Sequence, residues 1–563
     1  MRAIRSVNPA ARLIQTEDLG KTFSTPTLKY QADFENERRW LTFDLLRGQL
    51  DSQSPIANYF RWLGIRDDQL QWFQDNFLEP ELLGINHYVT SERFLDERLS
   101  RYPASLHGGN GRHAYADLES VRVRREGLAG PGSILEEAWD RYRLPIAVTE
   151  VHLGCSREEQ LRWVNEVWTS AVALRARQID VRAITLWGAF GTFDWNSLLT
   201  VEAGHYESGL FDLRAPAPRA TALATCARRL VADADFTHPV LDSPGWWRRP
   251  ARYGYPPAGS HSVTTPHSRE ITRRPRPILI TGANGTLGSA FARICEKRGL
   301  AHVLVTRQQL DIADFKSVDA ALDAYQPWAI INAAGYVRVD DAEGEVERCY
   351  RENVIGPDYL AGVCAARKVK LVTFSSDLVF DGLKKTSYVE NDKTSPLNTY
   401  GSSKVEAEQR VLERHPESLV VRTSAFFGPW DKYNFARAVL ATLQQGGKVT
   451  AIDDVIVSPT YVPDLVHVVL DLLIDDEAGI WHIANDGRIT WFEFARLVAA
   501  GAGFGESRVE SRPIDWFALS AKRPAFSALT SQRASLAPSF ENALERFFSE
   551  VDVCTPALAA ASA

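Results

Sequence analysis

Short apolar runs alternate along the chain with longer stretches in which apolar residues recur every three to four positions. In the first half the runs fall at 11–15, 82–86, 146–150 and 183–187. In the second they fall at 278–281, 302–305, 329–332, 371–374, 419–422 and 480–483. A run of this length bounded by turn residues predicts a buried strand, and the amphipathic stretches between runs predict crossover helices. The alternation predicts parallel α/β architecture in both halves. No short internal repeat interrupts it.

The pattern breaks over residues 241–276, which are rich in Pro, Gly and Arg and carry no period. This composition predicts a flexible linker. It separates a domain at 1–240 from a domain at 277–552, with a weakly patterned tail at 553–563. The 563 residues are too many for one ordinary core, in keeping with two domains.

Composition narrows the class. Hydrophobic residues make up 45% and charged residues 24%, as in a soluble globular protein. The net charge of −7 argues against nucleic acid as a partner. The Arg-rich stretches at 122–125 and 248–252 are short and read as solvated face or linker. Six cysteines lack any Cys-x-x-Cys spacing, which suits a reducing compartment and gives no metal site. No apolar signal region and no run of about 18 apolar residues is found. A cytoplasmic protein without a membrane span is expected.

The second half carries a dinucleotide-binding pattern. The apolar run Ile278–Thr281 leads into Gly282-Ala-Asn284-Gly285-Thr286-Leu287-Gly288 and then an amphipathic stretch. Glycines there let the backbone approach a pyrophosphate, and the following helix offers free N–H groups to it. The run at 302–305 ends at Thr306-Arg307 with no acidic residue for a ribose 2′-hydroxyl. Arg307 would suit a 2′-phosphate, favouring NADPH, with NADH as the alternative. Asp311-Ile312 follows, and Asp311 or Asp314 also reads as a helix N-cap. Asn332-Ala333-Ala334-Gly335 ends the next run.

Tyr400-Gly-Ser-Ser-Lys404 places a phenol and an ammonium one helical turn apart on one face. Reduction of a ketone needs a proton at oxygen as hydride reaches carbon, and a nearby ammonium is expected to lower the phenol's pKa. Ser376, at the end of the preceding run, is the third candidate, with Ser375 as its rival.

These motifs are similar to those of the extended short-chain dehydrogenase/reductase family. Gly-x-x-Gly-x-x-Gly, Asn332-Ala-Ala-Gly335 and Tyr-x-x-x-Lys all match. Ser375-Ser376-Asp377-Leu-Val-Phe-Asp381-Gly382 narrows the resemblance to dTDP-4-dehydrorhamnose reductases. So do Pro396-Leu-Asn-Thr-Tyr400-Gly, Asn434-Phe435 and Ser458-Pro-Thr460, and the match spans 278–551. The resemblance implies a Rossmann-type doubly wound sheet with a small C-terminal substrate lobe. It also implies reduction of a dTDP-linked 4-keto-6-deoxy sugar to dTDP-L-rhamnose. Tyr400 would be the proton donor, Lys404 would hold the cofactor ribose, and Ser376 would orient the carbonyl. Asp377 and Asn434 would meet the substrate. Asp311 and Ile312 would lie near the adenine, Asn332 to Gly335 would line the cofactor, and Asn353 would be mainly structural. Some family members bind Mg²⁺, and a homodimer is an option. Leu378 stands where the family usually has Tyr, and Ala425 where it has Trp, so the sugar is left open. Phe426, Phe427 or Trp430 would replace the lost aromatic surface. Alternatives are another nucleotide-sugar reductase or epimerase, or a non-catalytic dinucleotide-binding regulatory subunit.

In the first half, Asn86-His-Tyr88, Glu150, Trp187 and Asp194-Trp195 follow apolar runs, where a (β/α)8 barrel builds its site. Over 5–229 they resemble the last half of a family 1 glycoside hydrolase, about four βα units. Glu150 would match the nucleophile, with Asn86, Tyr88, Trp187 and Trp195 around it. The family's general acid/base segment has no counterpart, and only Glu17 and Asp18 lie near its place. Retaining hydrolysis needs two carboxylates. This half is therefore expected to be inactive, either as part of a longer fusion or paired with something else.

Overall fold

The structure is a computed structural model that describes residues 1–258 and 275–551. The tail at 553–563 and the rest of the expected linker lie outside these residues. The chain divides into two compact units. One comprises 1–192, 207–210 and 225–273, and the other 193–206, 211–224 and 274–563.

In the first unit, strands β1 (Ile14–Asp18), β2 (Leu82–Asn86), β3 (Ile146–Val151) and β4 (Val181–Leu186) form one sheet in that order, all parallel. Helices α1 (Gly130–Tyr142) and α2 (Arg157–Ala176) precede β3 and β4. Leu161, Val164, Val167, Ala171 and Leu174 of α2 recur at helical spacing and are buried. Strand β1 lies further along the chain than its apolar run. Its pairing with β2, Ile14 with Leu82 through to Asp18 with Asn86, draws polar residues into the strand. A smaller mixed sheet (Thr22–Ser24, Arg93–Asp96, Ala114–Glu119, His107–Gly109) lies beside these elements in the chain.

Residues 241–258 are not the free linker that their composition suggests. The Trp247 side chain is 1% exposed, and its indole N–H donates to Glu166 Oε2 at 2.7 Å. The buried Arg252 guanidinium donates to the Val121 carbonyl at 2.8 Å. Pro and Gly choose the turns here, but aromatic burial and satisfied guanidinium groups fix the segment.

The second unit holds a six-stranded sheet. Its strands are β5 (Ile278–Thr281), β6 (His302–Val305), β7 (Ala329–Asn332), β8 (Lys370–Ser376), β9 (Leu419–Thr423) and β10 (Gly479–His482). They lie in the order β6-β5-β7-β8-β9-β10, all parallel. The order reverses beside β5, so the crevice between the carboxyl ends of β5 and β7 is the switch point where such sheets bind ligands. Helices α3 (Thr286–Arg298), α4 (Phe315–Tyr325), α5 (Gly356–Arg367) and α6 (Thr399–Arg414) connect the strands. Leu279, Ile330, Leu371 and Val420, from four strands, share a core with Leu360, Cys364 and Val411 from the helices. Burial of each such aliphatic side chain contributes roughly 1.5–3 kcal/mol.

A separate core of Phe427, Tyr461, Phe494, Phe540 and Phe547 forms the lobe after β9. Phe427 is 0% exposed, so it cannot supply aromatic surface to a sugar pocket as the sequence suggested. Residues 211–224 also belong to this unit. Arg219 Nη1 donates to Asp475 Oδ2 and Glu477 Oε1, each at 3.0 Å, and the Ala222 N–H reaches Asp475 Oδ1 at 2.7 Å.

Candidate active site

The glycine turn sits at the switch point. Gly282 has φ +78°, and a Cβ there would meet the Ala333 carbonyl oxygen at 2.6 Å. A Cβ on Gly288 would lie 2.2 Å from the Gly282 oxygen. Only glycine lets strand, turn and helix approach this closely. Gly285 is the N-cap of α3, whose first turn therefore presents unpaired N–H groups at the crevice. Thr286 at that turn donates its hydroxyl to Asp431 Oδ2 at 2.6 Å. Asp431 was not singled out from sequence, because it lies 145 residues away in the chain.

The other expected cofactor residues divide. Asn332 is buried, accepts from Thr281 Oγ1 at 2.9 Å and donates to Thr373 Oγ1 at 3.4 Å. Its side chain ties β5, β7 and β8 together. Ala333 and Ala334 lie half-buried beside Gly282, and Gly335 backs onto Asn353 Oδ1. Asn353 accepts the Tyr336 N–H at 2.8 Å and donates to Ser403 Oγ at 3.1 Å, a structural role. Arg307 is exposed and donates to Glu352 Oε1 at 2.8 Å. Asp311 accepts from Arg351 at 2.8 Å and from the Ala313 N–H at 3.0 Å. Burial pushes its carboxyl up, but the Arg351 bond and charge, the Ala313 N–H and the Arg307 charge together hold it low. Asp314, not Asp311, caps α4. Leu287 and Ile312 are buried core residues.

Two segments carry the three candidates, the end of β8 with Ser376 and helix α6 with Tyr400 and Lys404. Asn398 caps α6 by accepting the Gly401 N–H at 2.7 Å and donates to the Lys522 carbonyl at 2.8 Å. The buried ion pair of Arg422 with Glu408, 2.6 Å, fastens α6 to β9. Lys404 Nζ donates to the Phe374 carbonyl at 3.2 Å and lies 5.6 Å from the Tyr400 ring centre. Burial pushes Lys404 down to about 8. Tyr400 is pushed up, first by burial and then by the charge of Asp377, with hydrogen bonding to Ser376 pulling it down. This corrects the expected lowering by Lys404. In the folded chain burial sets the direction of the shift, which favours the phenol over the phenolate.

Ser376 Oγ donates to Asp377 Oδ1 at 3.0 Å and accepts the Leu378 N–H at 3.2 Å. The rival Ser375 has a buried hydroxyl with no hydrogen-bond partner among the described residues. Successive strand residues face opposite ways, so only one of the pair can join the site. Asp377 faces Ser424 and Ser527, which had not been singled out from sequence. Asn434 caps the helix Phe435–Gln444, accepting from the Arg437 N–H at 3.1 Å and donating to the Gly428 carbonyl at 3.0 Å.

In the first unit, Tyr88 donates its hydroxyl to Glu150 Oε2, and Thr149 donates to Asn86 Oδ1 at 2.6 Å. The Trp187 ring lies 5.0 Å from that of His152. Burial raises the Asp18 carboxyl, against Ser91 and His87. Trp195 belongs to the second unit. Asp194 accepts backbone N–H groups of Ala203, Gly204 and His205, so its oxygens close its own loop. Among the described residues no three His, Cys, Asp or Glu side chains gather as a metal site, so the Mg²⁺ expectation finds no support. No helix among them is long and apolar enough to cross a membrane.

A Rossmann-type sheet with a glycine turn at its switch point and a Tyr–Lys pair on the adjoining helix defines a short-chain reductase. Residues 276–553 match the family described as the RmlD substrate binding domain. The dTDP-4-dehydrorhamnose reductase of Mycolicibacterium smegmatis is 33% identical over 305 residues, covering 54% of this chain and 90% of that protein. The dTDP-4-keto-6-deoxy-D-glucose reductase of Streptomyces niveus is 34% identical over 252 residues, 45% of this chain and 87% of that protein. A solved dTDP-4-dehydrorhamnose reductase of Bacillus anthracis in complex with NADP shares 32% identity, with a TM-score of 0.47, over 49% of this chain and 99% of that chain. The chain belongs to the dTDP-4-dehydrorhamnose reductase family.

Proposed function

We propose that the second unit reduces the C4 ketone of a dTDP-linked 4-keto-6-deoxy sugar, most simply dTDP-4-dehydrorhamnose to dTDP-L-rhamnose. The observation that carries this reading is the placing of Tyr400 and Lys404 on one helix, with Lys404 anchored on the Phe374 carbonyl just before Ser376 and the Gly282–Gly288 turn at the switch point of the same sheet. The 33% identity over 90% of a named reductase supports the substrate class. Reduced nicotinamide, from NADPH or NADH, supplies the hydride when bound. Gly282, Gly285 and the first turn of α3 would hold the pyrophosphate, and Lys404 would hold the nicotinamide ribose. Ser376 orients the carbonyl, and Tyr400 gives its phenolic proton to the ketone oxygen.

The first unit we read as a partial glycoside-hydrolase-like barrel without hydrolase activity. Four parallel strands carrying Asp18, Asn86 and Glu150 at or just inside their carboxyl ends support this. Absorbance of NADPH during incubation with dTDP-4-dehydrorhamnose tests the main proposal. Wild type is expected to oxidise it, and Tyr400→Phe to lose about 10²–10⁴-fold in kcat. Binding of NADPH without turnover by wild type would refute the catalytic reading.

A further inference from the structure

Arg307, expected from its place after β6 to meet a 2′-phosphate, is not free in the folded chain. The Ala283 N–H of the glycine turn donates to the Val305 carbonyl at 3.3 Å, so the turn touches the last residue of β6, and Arg307 lies two residues further on. Its Nη1 donates to Glu352 Oε1 at 2.8 Å, and Arg348 Nε donates to the same oxygen at 3.2 Å. Arg351 Nη2 donates to Asp311 Oδ2 at 2.8 Å, and Arg307 Nε lies 3.7 Å from that oxygen. Arg348 Nη1 also donates to Glu345 Oε2 at 3.1 Å. Each of these guanidinium groups is paired with a carboxylate.

Glu352 reaches Arg307 because of an irregular turn. Residues Arg351–Ile355 wind as a π-helix directly before α5, a conformation that recurs at functional sites. The buried Asn353 pins this turn through the Tyr336 N–H and Ser403. Its half-buried neighbours Arg351 and Glu352 are thereby carried to Asp311 and Arg307, 40 and 45 residues away in the chain. The Arg307 side chain is 56% exposed and that of Glu352 13%. The carboxylate is therefore the fixed partner, and the guanidinium is the one with room to move.

We propose that Glu352 is a specificity-determining residue for the dinucleotide: by holding Arg307 it keeps that guanidinium from a 2′-phosphate, so that NADPH and NADH are accepted nearly alike. The inference rests on the reductase reading and deepens it. An arginine after this strand ordinarily accommodates the 2′-phosphate. A 2′-phosphate brings about two negative charges at neutral pH. To meet it, Arg307 must leave Glu352, and the bare carboxylate then stands beside the phosphate. The ribose 2′-hydroxyl of NADH is neutral and requires no such exchange. Glu352 acts through Arg307 and is in that sense a positioning residue.

The test measures dissociation constants of NADPH and NADH by titration calorimetry on the full chain, without a sugar substrate. Wild type is expected to bind the two within about tenfold of each other. Glu352→Gln keeps the side-chain length and removes the charge. NADPH binding is expected to tighten roughly 3- to 10-fold, with NADH changed less than about twofold. In the Arg307→Ala background the same substitution should lose most of its effect on NADPH. Weaker or unchanged NADPH binding in Glu352→Gln overturns the proposal, as does an equal change for both dinucleotides. An effect on NADPH that is undiminished in Arg307→Ala overturns it too. If Glu352→Gln does not fold, wild type still decides, because a preference of either kind beyond about tenfold overturns the proposal. A wild type that binds neither dinucleotide refutes the reductase reading itself, whereas a selectivity that does not shift refutes only the role of Glu352.

Discussion

Lys404 Nζ lies 5.6 Å from the centre of the Tyr400 ring and is held there by the Phe374 carbonyl, at 3.2 Å. Its burial, which pushes it down to about 8, opposes folding at neutral pH. Between about 8 and the ordinary lysine value of 10.5 the unfolded chain binds more protons than the folded one. Stability from this group therefore rises with pH through that window, and the penalty is fully present below it. Lys404→Met should melt a few degrees higher at pH 7 while losing at least about 100-fold in turnover. Thermal melts set beside NADPH oxidation check this, and a lower melting temperature would contradict it.

The Gly282 turn should not tolerate a side chain. Gly282→Ala combines a left-handed backbone with a Cβ 2.6 Å from the Ala333 oxygen. The strain is expected to be on the order of 1–3 kcal/mol. Dinucleotide affinity, followed by quenching of protein fluorescence, should weaken at least tenfold.

Asp431 accepts the Thr286 hydroxyl at the helix end proposed to hold the pyrophosphate. A carboxylate there repels phosphate oxygens. Asp431→Asn should tighten NADPH binding by roughly 3- to 10-fold. Titration calorimetry reads the change, and weaker binding would show that the Thr286 contact matters more than the charge.

Arg219 pairs with Asp475, whose side chain is fully buried. Arg219→Ala removes this guanidinium from Asp475 and from Glu477. Breaking a buried pair from one side costs about 3–5 kcal/mol, and urea unfolding should show a loss of that order in the second unit.

The first unit should release no nitrophenol from aryl-glycosides. Tyr88 already donates to Glu150, and Asp18 is raised by burial. Release that vanishes in Glu150→Gln would reverse this reading.

Much of the second unit was legible in the chain. Strands Ile278–Thr281 and Ala329–Asn332 coincide with the apolar runs, because a strand buried on both faces must be largely apolar. The glycine turn and the Tyr400–Lys404 pair were legible for the same reason: both are local patterns, fixed by backbone reach and by the helical repeat. Strand β1 was misplaced because pairing with β2, not its own apolarity, sets its register. Residues 241–258 read as linker because composition records turns and not the partners of Trp247 and Arg252.

What the sequence alone determined is the order of strands and helices, the glycine turn and the placing of Tyr400 and Lys404 on one helix face. Each depends on residues within one or two turns of each other. Only the tertiary structure decided the direction in which Tyr400 is shifted, the hydrogen bonding of Ser376 beside the unpartnered Ser375 hydroxyl, and the enclosure of Asp377 by Ser424 and Ser527. These depend on burial and on groups from distant segments, and desolvation exists only once the chain has closed around them.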